Sequence, residues 1–213
     1  NYDEMTFPFR SEDSDHNIFE LLTVHDCGFG IHIGGSSDDN LFLNCDVYNI
    51  YDPLSTSMID GSLVADPYED GDGFSIGYGG LGTTNTYRGC RAWNIADDGW
   101  DLWRSDSHVI IDRCWAWNCG YAPDGSIGGN GNGFKLGITE TSTAWASNPP
   151  ILRTITNSIA YGNRTCGVHQ NGAYCAAEFY NNIAYKNGEF GFWMYSYNKP
   201  HIFKNNISFD NKY

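Results

Sequence analysis

The chain has 213 residues, 18% of them charged, with 12 Lys and Arg against 26 Asp and Glu for a formal net charge of -14. That balance excludes a nucleic-acid binder, which needs basic residues to displace counterions from phosphates, and no apolar run is long enough to span a membrane. With 25 Gly, 7 Pro and 15% aromatic residues, the chain is neither collagen-like nor disordered, and one domain over residues 1–213 is expected.

The chain begins at Asn1 without a basic and then apolar leader, as expected of a mature form or a fragment of a longer solenoid. From there, one short pattern recurs: a Cys, Ser or Asn, any residue, a small or β-branched residue, then an aromatic. A first copy is Leu22-Thr23-Val24-His25, followed 23 residues later by Cys45-Asp46-Val47-Tyr48. Next come Cys90-Arg91-Ala92-Trp93, Cys114-Trp115-Ala116-Trp117 and Ser158-Ile159-Ala160-Tyr161, then Asn182-Ile183-Ala184-Tyr185 and Asn206-Ile207-Ser208-Phe209. Three of the intervals are 24 residues, whereas Cys45 to Cys90 is 45 and Cys114 to Ser158 is 44, so extra chain enters at two places. Between the copies runs a second element, a Gly followed by alternating apolar positions, at Gly30, Gly73, Gly99, Gly133, Gly167 and Gly191.

Short alternating strands with a period in the twenties predict an all-β fold, a right-handed parallel β-helix whose coils bury their faces by stacking. The Cys, Ser and Asn positions are expected to form an inward ladder, and the recurring Trp93, Trp117, Tyr161 and Tyr185 are expected as inner, structural aromatics. The seven Cys lack metal-binding spacing, so they are expected as small buried residues rather than disulfides. Asn163 and Asn206 begin glycosylation sequons, which arise by chance in so Asn-rich a chain.

Stacking makes columns of equivalent positions about 4.8 Å apart. The position two after each Gly gives His32, Ser75, Asp101, Lys135, His169 and Trp193, expected to point outward. The position before the Gly adds Asp72, Asp98 and Asn132, with Asp97 alongside. A bend at Gly99 is expected to let Asp98 and Asp101 converge. Asp97-Asp98-Gly99 alone also fits a simple turn, but its register with Asp72 and Lys135 points to a site. Clustered carboxylates require a cation, and all-oxygen ligands select Ca²⁺. Lys135 beside that cation is a candidate base. Trp103, Trp193, Tyr195 and Tyr197 are candidate ligand-stacking aromatics in or just after the outward strand, and Arg104, Arg164 and His169 are candidate anion-binding residues.

The segments Asp72-Gly73-Phe74, Gly89-Cys90-Arg91-Ala92-Trp93-Asn94, Asp97-Asp98-Gly99-Trp100-Asp101-Leu102 and Asn132-Gly133-Phe134-Lys135-Leu136-Gly137 resemble polysaccharide lyase family 9, the β-helix pectate lyases and their relatives. The resemblance runs from about Asn17 to near the C-terminus. It implies that Asp72, Asp97, Asp98 and Asp101 hold a catalytic Ca²⁺ and that Lys135 is the Brønsted base. The implied reaction is β-elimination on a uronate polymer such as polygalacturonate. The implied substrate-binding set is Trp103, Arg104, Asn132 and His169. This chain departs from the family in having His169 where an Asp is common, and in an acidic stretch whose Asp70 is a further candidate ligand. The same chemistry on rhamnogalacturonan or a bacterial sheath glycan, and a non-catalytic glycan-binding or structural β-helix, are the alternatives. A secreted or periplasmic, bacterial setting, no nucleic-acid partner, and possible oligomers through exposed end coils complete the expectations.

Overall fold

The computed structural model describes residues 7–137, 150–195 and 199–213. Among these there is no helix, and three parallel sheets of seven strands each account for nearly all the regular structure. The first sheet stacks β1 (Phe9–Glu12), β4 (Ile31–Gly34), β9 (Phe74–Gly77), β12 (Trp100–Asp101), β15 (Phe134–Lys135), β18 (Val168–His169) and β21 (Phe192–Trp193). The second stacks β2 (Ile18–Glu20), β5 (Asn40–Leu43), β10 (Thr84–Arg88), β13 (His108–Asp112), β16 (Leu152–Thr156), β19 (Ala176–Tyr180) and β22 (His201–Lys204). The third stacks β3 (Thr23–Cys27), β6 (Asp46–Ile50), β11 (Arg91–Ile95), β14 (Trp115–Cys119), β17 (Ile159–Tyr161), β20 (Ile183–Tyr185) and β23 (Ile207–Phe209). The chain visits the sheets in turn, one strand each per coil, which is the predicted right-handed β-helix with one coil more at the N-terminal end than the repeats revealed. The first region of extra chain contains an antiparallel hairpin, β7 (Thr56–Ile59) and β8 (Ser62–Ala65).

Stacking fills the interior with columns of like residues. Phe74, Trp100 and Phe134 stack in the first sheet at 4.6 and 4.9 Å, and Phe19, Phe42 and Tyr87 in the second at 4.8 and 5.0 Å. The third sheet contributes Val47, Ala92, Ala116 and Ala184, all fully buried. Their small side chains let the backbone of the Gly column come close. A Cβ on Gly99 would stand 2.6 Å from the Gly133 carbonyl oxygen and 3.1 Å from Ala116 Cβ. Gly99 is therefore required by the close approach of neighbouring coils, and no left-handed bend occurs there.

The inward ladder forms as predicted. The Ser158 N–H donates to Asn182 Oδ1 at 2.9 Å, while Asn182 Nδ2 donates to Asn206 Oδ1 at 3.0 Å and to the Ile155 carbonyl at 2.8 Å. Two further ladders escaped the sequence reading. One runs through Asn17, Asn40 and Asn85, and the other through Asn163, Asn187 and Asn211, each with side-chain steps of 3.0 Å. Asn163 and Asn206 are therefore held in ladders rather than presented as glycosylation acceptors. All seven Cys are free, six of them buried.

The recurring aromatics are structural but not inner. Each follows an inward Ala by one residue, so strand alternation turns it out. Trp93, Trp117, Tyr161 and Tyr185 form a half-buried outer stack with spacings of 4.9, 5.8 and 5.2 Å. One residue further, Asn49, Asn94 and Asn118 adopt φ of 52, 52 and 53°, a left-handed conformation Asn tolerates, and their amides hydrogen-bond from coil to coil at 3.0 and 2.7 Å. At the C-terminal end the last coil leaves Phe203, Ile207 and Phe209 about half exposed.

Asn182→Ala strands the Ser158 N–H and the Ile155 carbonyl in the interior, whereas Asn206 Oδ1 keeps the backbone N–H of position 182 at 3.0 Å. Each such group costs about 1–3 kcal/mol, so the variant is expected to lose about 2–4 kcal/mol in chemical denaturation.

Candidate active site

The first sheet carries the site because its outward column gathers the chemistry. Pairing sets Asp101 beside Ser75 and Lys135, and Lys135 beside His169, the predicted order. The column does leave the barrel interior, yet Ser75, Asp101 and Lys135 are buried, at 5, 6 and 7% exposure. Both regions of extra chain fold over it. From the first, Glu69 accepts a hydrogen bond from Asn130 Nδ2 of the second. Arg164 fastens that second segment from below through the Gly129 and Asn130 carbonyls. Arg164 thus holds a loop rather than facing a substrate.

Lys135 Nζ lies 2.9 Å from Asp98 Oδ2 and 3.0 Å from Asp101 Oδ2. Asp72, Asp98 and Asp101 each offer an oxygen within 4.8 Å of the others. Asp97 is beside this trio but turned toward the covering loop, where its Oδ1 accepts the Asn130 N–H. Asp98, fully buried, accepts the Asn132 N–H at 2.6 Å and Asn132 Nδ2 at 2.9 Å. Asn132 in turn accepts from Thr165 Oγ1 at 3.0 Å. Expected at the substrate, Asn132 is instead buried beneath Asp98, and its side chain orients that carboxylate.

Burial, then the carboxylates of Asp101, Asp97 and Asp98, push Asp72 well above the usual carboxylate range. Burial and Asp98 do the same to Asp97. Burial lifts Asp101 to about 6, with Lys135 pulling it back. For Lys135, burial works against the charge, but Asp101, Asp98, Asp97 and Asp72 together outweigh it and hold the ammonium well above its ordinary value. In the metal-free chain Lys135 is the cluster's own counter-ion.

The donor set fits a hard divalent cation. It is all oxygen, three ligand atoms already converge, and Asp101 Oδ1 is buried without a hydrogen-bond partner. Asp70 lines the cleft but is not part of the converging trio.

Above the cluster opens a cleft of about 830 Å³, lined by Asp72, Asp97, Asp101 and Lys135 and walled by Trp103, Arg104 and Tyr78. Arg104 lies on the Trp103 ring at 4.2 Å and donates to Tyr78 Oη at 3.2 Å. Tyr78 and Arg104 both have left-handed φ, 56 and 54°, a costly conformation for bulky residues that turns them to the cleft rim. Tyr78 was missed in the sequence, although the register pairing Ser75 with Asp101 puts it level with Arg104. His169 stacks on Trp193 at 4.5 Å and lies 5.9 Å from Tyr195. Tyr197 lies outside the described residues.

Fold and site together define a right-handed β-helix protein with an acidic, lysine-centred cleft. Residues 3–206 match the family model described as Pel9A-like, right-handed β-helix region, and the chain belongs to that family. It is 37% identical to pectate lyase L of Dickeya chrysanthemi over 201 residues, covering 91% of this chain and 42% of that protein. Among solved structures, the crystal structure of pectate lyase Pel9A superposes with a TM-score of 0.73 at 30% identity, covering 96% of this chain and 50% of that one. A rhamnogalacturonan lyase superposes at 0.65 with 25% identity, covering 99% and 57%. The chain thus spans less than half the length of pectate lyase L.

A buried carboxyl group with a raised pKa keeps its proton in the folded state at a pH where the unfolded chain has lost it. Stability of the metal-free protein therefore falls as pH rises above 3.8, through about 6 for Asp101 and higher for Asp72 and Asp97. Lys135, charged in both states below pH 10.5, adds no slope there. Asp72→Asn is expected to stabilise the metal-free protein at pH 8, on the order of 1–3 kcal/mol. The gain over the parent should vanish toward pH 4 in denaturation curves.

Proposed function

We propose that the chain is the catalytic β-helix of a Ca²⁺-dependent polysaccharide lyase that cleaves a uronate-containing polymer, polygalacturonate first among them, by β-elimination. The observation that carries this reading is one lysine set between Asp98 and Asp101 on the floor of a cleft. A glycan-binding or structural coil has no need of a base there, and a glycosidase would need a separated carboxylate pair with room for water.

Asp72, Asp98 and Asp101 would hold the cation, with Asp97 closing the set from the loop side. A Ca²⁺ held by these residues would supply the electron withdrawal that acidifies the proton on C5. Lys135 acts as base in its neutral form, so it must first release to solvent the proton its four carboxylates favour. Nζ then takes the C5 proton, the C5–H electron pair becomes the C4=C5 double bond, and the C4–O4 bond breaks. The departing oxygen takes a proton from solvent, leaving an unsaturated sugar at the new non-reducing end. Asn132 keeps Asp98 aimed at Lys135, and the segments carrying Glu69 and Asn130 exclude water. A polymer substrate of this kind supports a secreted or periplasmic setting; no helix of the described residues is long and apolar enough to cross a membrane.

Absorbance of the unsaturated uronide tests the mechanism. Product is expected from polygalacturonate with Ca²⁺, with loss on chelation and recovery on re-addition of Ca²⁺. Lys135→Ala is expected to lower kcat by about 10²–10⁴-fold without losing the cation's stabilising effect on Tm. Product that survives both chelator and Lys135→Ala overturns the mechanism.

A further inference from the structure

A second groove lies on the side of the coil away from the cleft. The cleft opens on the first sheet, whereas this groove of about 480 Å³ follows the corner where the second sheet turns into the third. That corner is one tight turn per coil, and its residue is left-handed in each of the seven coils. Asn44, Asn157, Asn181 and Asn205 occupy four of these turns and Gly89 a fifth, the residue types that accept this conformation at least cost. Leu21 and Arg113 hold it too, both at φ of 56°, which is unfavourable for side chains of their size. These two departures from the repeat are the two ends of the groove.

Arg113 interrupts a ladder as well. In the coils that follow, Asn181 Nδ2 donates to Asn157 Oδ1 at 3.2 Å, and Asn157 Nδ2 donates to Asp112 Oδ1 at 2.8 Å. The guanidinium gains no strong partner in exchange. Asp112 Oδ2 is 3.3 Å from Arg88 Nε but 3.8 Å from Arg113, whose side chain is 68% exposed. Along the other edge of the groove run Asp46, Arg91 and Trp115, outward neighbours on successive strands of the third sheet. Asp46 takes up Arg91 through two hydrogen bonds, at 2.7 and 2.5 Å. Trp93, Trp117 and Trp193 stack on other rings, whereas Trp115 is 44% exposed and has no aromatic or cationic partner among the described residues. Between the edges lies the exposed amide of Asn44, and a Cβ on Gly89 would strike its Oδ1.

The lining of this groove carries Arg91 and Arg113 against Asp46 alone, in a chain of net charge -14. A planar guanidinium matches a carboxylate, an exposed indole matches the apolar face of a pyranose, and an amide matches its hydroxyls. The groove crosses four coils, about 14 Å at the strand spacing, which accommodates a short run of sugars. We propose that it is a second glycan site, separate from the cleft, that holds a uronate-bearing chain without a metal ion. Arg113 pairs with a carboxylate there and Trp115 supports the ring. The lyase reading supplies only the choice of glycan, because the site uses neither Lys135 nor the buried carboxylates. Its role is to keep the protein on the polymer while the cleft changes occupants.

The test is calorimetric titration with oligogalacturonates in chelator, where the cleft has no cation to share with a carboxylate. The parent chain is expected to bind, and more weakly as salt rises. Arg113→Asn and Trp115→Ile install the residues that the next coil carries at these places, Asn157 and Ile159. Each is expected to weaken binding about tenfold, and either one suffices should the other fail to fold. Arg113→Asn is also expected to keep or raise Tm, because it relieves a strained turn, whereas the loss of a residue kept for stability would lower it. No binding by the parent in chelator, or parent-like binding by either folded variant, overturns the site. Equal affinity for neutral galacto-oligosaccharides removes the carboxylate and equal affinity for polyglutamate removes the sugar, and either result overturns the assignment. Binding in chelator with no product from any uronate polymer in Ca²⁺ removes the lyase reading and leaves the site standing. Product in Ca²⁺ without binding in chelator does the reverse.

Discussion

Everything in this molecule depends on coils stacking in register, backbone to backbone, along all three sheets. Each strand pairs with its counterpart one coil away, so residues roughly 24 positions apart become neighbours at strand spacing. That constraint explains the Gly column, where a side chain would strike the next coil's carbonyl. It explains the Asn ladders as well, since an amide that bonds its own equivalent satisfies itself at every step. The cluster of acids around Lys135 is the same device with acids and a lysine in place of amides.

Stacking also explains why so hostile a cluster is tolerated. Four buried carboxylates would repel strongly in a medium of low dielectric. Lys135 offsets part of that repulsion by bridging Asp98 and Asp101, and Asn132 supplies two further hydrogen bonds to Asp98. The remaining excess of negative charge is the electrostatic reason a divalent cation fits, and it accounts for part of the chain's acidity. In the proposed function an acidic protein would hold an acidic glycan through a cation shared by the two sets of carboxylates.

The solved relatives place this region in context without replacing that reasoning. A pectate lyase and a rhamnogalacturonan lyase both superpose on the chain, so the coil framework does not by itself choose a polymer. In the proposed function the choice would fall to the segments inserted between repeats and to outward positions of the column. Those are the parts where a solenoid changes residues without disturbing its stacking.

The spacing of Cys90, Cys114, Asn182 and Asn206, with the Gly motifs between them, was enough to determine a parallel β-helix and to align Ser75, Asp101, Lys135 and His169. A repeat needs only regular intervals to make its neighbours known. Depth was another matter. Strand alternation shows that Lys135 leaves the barrel, but the covering of Lys135 by the segments around Glu69 and Asn130 depends on where two irregular insertions come to rest. The fates of Asn132, Arg164 and the aromatic column were hidden for a related reason: whether a polar or aromatic side chain meets substrate, backbone or its own repeat depends on contacts between coils rather than on position along one. Sequence alone thus determined the fold and the order of the site, because both follow from periodicity. Only the tertiary structure decided what is buried and what each side chain faces, because the insertions that close over the column have no period.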